Sequence, residues 1–135
     1  MNCSEFVDAV ARRGGVSREQ AHDLTRATLQ TLAERISGGE TRDVGAQLAP
    51  ELREYLHKEQ EFPEPFGLGQ FIRRVSDRAG VNTAQGSAGV RAVLATVREA
   101  VATREFEDVV SQLPKEYWEV IEPVGAQFGV RRGVR

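Results

Sequence analysis

Shifted by 65 residues, the sequence lies over itself without a gap. Residues 6–56 match residues 71–121, and 18 of these 51 pairs are identical. The identities run from Phe6/Phe71, Val10/Val75, Gly15/Gly80, Arg26/Arg91 and Leu29/Leu94 to Glu40/Glu105, Asp43/Asp108, Val44/Val109, Gln47/Gln112 and Leu48/Leu113. A register held this long marks a duplication. It restricts the fold to one helical unit built twice, each copy having to bury its apolar face against something.

Each unit reads as a helix, a long helix and two short ones. Phe6, Val7 and Val10 mark the inner face of the first, which Gly14 and Gly15 end. Ser17 with Gln20, and Asn82 with Gln85, stand at capping-box spacing before the long helices. Ala21, Leu24, Thr28, Leu32 and Ile36 recur at steps of three and four, as do Val90, Val93, Val97 and Val101. Gly38 and Gly39 are expected to stop the first long helix. Val44 and Leu48 mark a short helix, and Pro50 and Pro114 suit the first turn of a last one. No stretch alternates as a strand does.

The expected fold is therefore all-α, with two tandem repeats packed as one pseudo-twofold bundle. One domain spans 1–135: a first repeat over 4–58, a surface linker over 59–69, a second repeat over 70–121 and a tail over 122–135 that is mobile at its end. A chain of 135 residues with 40% hydrophobic and 28% charged residues can bury such a core. Its net charge of −2 weighs against nucleic acid as a partner. The single cysteine, Cys3, excludes an internal disulfide. No apolar run approaches a membrane span, residues 1–15 have no signal-peptide core, and a cytoplasmic location is expected.

The stretches Thr25-Arg26-Ala27-Thr28-Leu29, Leu32 to Glu40, Asp43-Val44 and Ala46-Gln47-Leu48 resemble the bacterial domain of unknown function 2267. Asp108-Val109 and Gln112-Leu113-Pro114 resemble the duplicate found within that family. The resemblance covers residues 4–121 and implies a small helical bacterial protein of intracellular type, with no activity to carry over. The second copy departs from the pattern where Thr103 and Arg104 replace the glycine pair. Gly86 and Gly89 also fall inside its long helix, at about 1 kcal/mol each relative to alanine.

No residue set amounts to a catalytic, cofactor or metal site. Glu40, Asp43 and Gln47, repeated as Glu105, Asp108 and Gln112, share a helical face near its start. They read first as caps that favour the helix dipole, and second as carboxylates for metal or acid–base chemistry. The matched Arg26 and Arg91 read as ion pairs to Asp43 and Asp108, or to another acid of their own unit, with a grip on an anionic ligand as the alternative. His22 and His57 lack counterparts and a second ligand at metal spacing, so they read as surface groups. The glycine pairs fit no phosphate loop. Arg131, Arg132 and Arg135 offer a small basic arm.

The functional expectation is a non-catalytic interaction module that binds another protein or itself. The alternative is a small-molecule or ion-binding protein using the cleft between the repeats. The second copy carries bulk where the first is polar or small: Phe106 for Thr41, Val110 for Gly45, and Trp118 for Arg53. These three are expected to form an apolar patch covered by the tail (Val124, Phe128, Val130) or by a partner, the first copy leaving the matching surface to water.

Overall fold

The computed structural model describes residues 1–121; the tail, with Val124, Phe128, Val130 and its three arginines, lies outside the described residues. The described chain is all-α. Its elements are α1 (Cys3–Gly14), α2 (Arg18–Arg35), α3 (Gly38–Gln47), α4 (Pro50–Arg53) with a 3-10 turn Glu54–Leu56, α5 (Leu68–Ala79), α6 (Thr83–Ala100) and α7 (Thr103–Ser111). A 3-10 turn Lys115–Tyr117 follows. The helices of the second half start 65 positions after those of the first: 3 and 68, 18 and 83, 38 and 103.

Local chemistry explains the bounds. Asn2 with Glu5 and Asn82 with Gln85 form reciprocal capping boxes, whereas Ser17 only accepts from Gln20 N at 3.1 Å. Gly15 and Gly80 end α1 and α5 at φ of 64° and 70°, a left-handed turn that a Cβ disfavours. The pair Gly38–Gly39 does not stop α2, which ends at Arg35 with Ile36 extended. It opens α3 instead, because Ser37 accepts from Glu40 N at 3.1 Å and caps that helix. Nor do Gly86 and Gly89 interrupt α6. A Cβ on Gly86 would strike Ser76 of α5, and one on Gly89 would lie 2.5 Å from Leu24 of α2. Both glycines serve close helix approach.

The packing is crossed. Helix α1 lies on α2 and α6, α5 lies on α6 and α2, α2 touches α6, and α3 touches α7. One buried cluster collects Phe6, Val10, Leu24, Leu32 and Val44 together with Phe71, Val75, Val93, Val97 and Tyr117. Each such side chain contributes roughly 1.5–3 kcal/mol of burial free energy. Polar groups tie the halves in the same crossed sense. Arg78 donates to Thr31 at 2.8 Å and pairs with Glu34 at 2.6 Å; Arg13 donates to Thr96 at 2.8 Å and pairs with Glu99 at 2.9 Å.

The segment joining the halves is not wholly a surface strap. Phe66 and Leu68 are buried, and the carbonyl of Phe66 accepts from Arg35 Nε at 2.8 Å and from the Tyr117 hydroxyl at 2.9 Å. The Arg74 guanidinium lies 3.9 Å from the centre of the Phe66 ring. Residues 59–65 are exposed, among them the large apolar Phe62 at 82%.

Candidate functional site

The contact of α3 with α7 brings two helix N-termini together from opposite halves. The free N–H of Ser37, at the start of α3, donates to Gln112 Oε1 at 2.8 Å; that of Ala102, at the start of α7, donates to Gln47 Oε1 at 2.7 Å. Each short helix is thus capped by the glutamine of the other. That fixes the third residues of both helices, Glu40 and Glu105, opposite one another.

An oxygen of each carboxyl lies within 4.8 Å of one on the other. The Oε2 atoms of both are buried and have no hydrogen-bond partner among the described residues. Oε1 of Glu105 accepts from Gln47 Nε2 at 3.4 Å. Oxygens of Glu40, Asp43 and Glu105 all lie within 4.8 Å of one another. Burial first, then contact with Glu105 and the charges of Asp108 and Asp43, pushes the Glu40 carboxyl up to about 8. Two carboxylates are both acceptors, so neither can satisfy the other; a proton or a cation between them can. A group of hard oxygen donors suits a divalent cation of the magnesium, calcium or manganese kind, with water completing the shell.

Arg26 finds an acid of its own unit, but Asp43 and Asp108 are not the partners of the matched arginines. Arg26 does not reach Asp43: it faces α5, donating to the carbonyl of Arg78 at 3.4 Å in that helix's last turn, where the dipole favours a cation. Its acid partner is Asp23 at 3.5 Å, one turn away on α2. Arg91 does not pair with Asp108; it is exposed and donates to the Glu119 carbonyl at 3.4 Å. Asp43 and Asp108 stand beside the glutamate pair instead. Both histidines are exposed, and His22 lies 3.4 Å from the Tyr55 hydroxyl.

The members of the bulky trio differ in exposure, and the tail expected to cover them lies outside the described residues. Phe106 is 5% exposed and belongs to the core, Val110 is partly buried against it, and Trp118 is 38% exposed. The first half does not leave the matching positions to water. Thr41 and Gly45 are buried, and the Arg53 stem lies over Gly45 while its guanidinium donates to the carbonyls of Gly45 at 2.8 Å and Leu48 at 3.2 Å. Beside them an open hollow of about 570 Å³ is lined by Arg42, Gly45, Ala46, Arg53, Leu56 and His57, among others. The missing bulk appears as a recess.

Two features escaped sequence reasoning. The meeting of Glu40 with Glu105 was hidden because spacing along one helix says nothing about the opposite helix; their retention in both copies was the available signal. The exposed Phe62 carried a weaker signal, an aromatic in a segment rich in proline and glutamate.

The sequence model of a family described as "Uncharacterized conserved protein (DUF2267)" matches residues 3–120. No curated protein matches the chain.

Proposed function

For a chain that belongs to the DUF2267 family of uncharacterized conserved proteins, we propose a non-catalytic binding role in which the carboxylates between α3 and α7 hold a hard divalent cation. One observation carries this reading: two glutamates from different halves bury unpartnered oxygens at a point where a third carboxylate also converges. Burying such acceptors without a partner is costly, and a cation bridging α3 and α7 offsets that cost while joining the halves. The proposed ligand would thus bind at the junction of two tandem repeats arranged about a pseudo-twofold axis. That arrangement is supported by the 65-residue spacing of the helix starts and by the crossed pairs Arg13–Glu99 and Arg78–Glu34.

Melting temperatures with calcium, magnesium or manganese, each against chelator, test the cation. One ion is expected to raise the wild-type value by mass action, and Glu40→Gln and Glu105→Gln to lose the response. A wild type that responds to none of them, or glutamine variants that respond as it does, would sink the proposal.

A second reading, binding of another protein or of a further copy of this chain, is favoured by a different observation. Phe62 is a large apolar side chain left almost wholly in water.

A further inference from the structure

We draw no further inference here: the strongest candidate, the exposed Phe62 ring on the joining segment together with the open hollow lined by Arg42, Gly45 and Arg53, carries nothing because nothing in the structure shows what covers them.

Discussion

The side-chain oxygen of Gln47 takes the main-chain N–H of Ala102 at 2.7 Å, a bond between residues of opposite halves. Gln112 does the same for Ser37 at 2.8 Å, and its amide also reaches the Ser37 hydroxyl at 3.2 Å. A helix-start N–H deprived of its partner costs about 1 kcal/mol. Gln112→Ala is expected to lose about that much and Gln47→Ala less, because Gln47 is exposed and water can take its place. Urea unfolding checks both; midpoints equal to wild type would mean that these caps add nothing.

The Glu40 carboxyl sets a pH dependence. Folded, it keeps its proton up to about 8; unfolded, it releases it near the ordinary 4.5. Between those values the folded state binds more protons, so stability falls as pH rises through the window. The contribution is complete below 4.5 and gone above about 8. Solvent reaches the pair, so the slope stays below that of an enclosed group. In chelated buffer the melting temperature should drop across this range, and Glu40→Gln should flatten the drop. A flat wild-type profile would rule out the raised proton affinity.

Thr28 is fully buried, yet its hydroxyl has no partner among the described residues. Thr25, Thr31 and Thr96 each donate at 2.8 Å to the carbonyl one turn back. At the position matching Thr28 the second half carries Val93. Thr28→Val keeps the branched shape and removes the unsatisfied group, with an expected gain of about 1 kcal/mol. A lowered melting temperature would show that the hydroxyl is satisfied after all.

Gly89 presents the opposite case. Alanine favours a helix interior by about 1 kcal/mol, but its Cβ would fall 2.5 Å and 2.9 Å from the two Leu24 methyls. Overpacking of this kind costs about 1–3 kcal/mol, so Gly89→Ala is expected to destabilise. Gly39→Ala is the control: nothing lies nearer than Arg42 Nη2 at 4.0 Å, and a small gain is expected. Thermal melts separate the two, and a stabilised Gly89→Ala would contradict the close approach of α6 to α2.

The helices were legible because their signals are local. The stripe of Ala21, Leu24, Thr28, Leu32 and Ile36 is buried throughout, and Asn82 with Gln85 closes the reciprocal cap. What the sequence withheld is which copy supplies each contact. Arg26 and Asp43 read as partners within one half, yet α2 and α3 turn those side chains toward α5 and α7 respectively. The identities Glu40/Glu105 and Gln47/Gln112 look the same in a self-alignment whether they act inside a unit or between units. The positions matching Phe106, Val110 and Trp118 in the first half misled for a related reason: Thr41 and Gly45 are buried there rather than left to water. Sequence alone does not show that the Arg53 stem covers Gly45 in the first half.

The crossed seating of α1 on α6 and of α5 on α2 also governs the order in which the protein can come into being. During synthesis the first half emerges with the α2 face that α5 covers still bare, and α1 waits for a helix that begins at Thr83. These contacts join residues tens of positions apart, and non-local contacts of this kind slow folding relative to a simple bundle. Until the second half leaves the ribosome, the newborn chain carries an adhesive apolar surface.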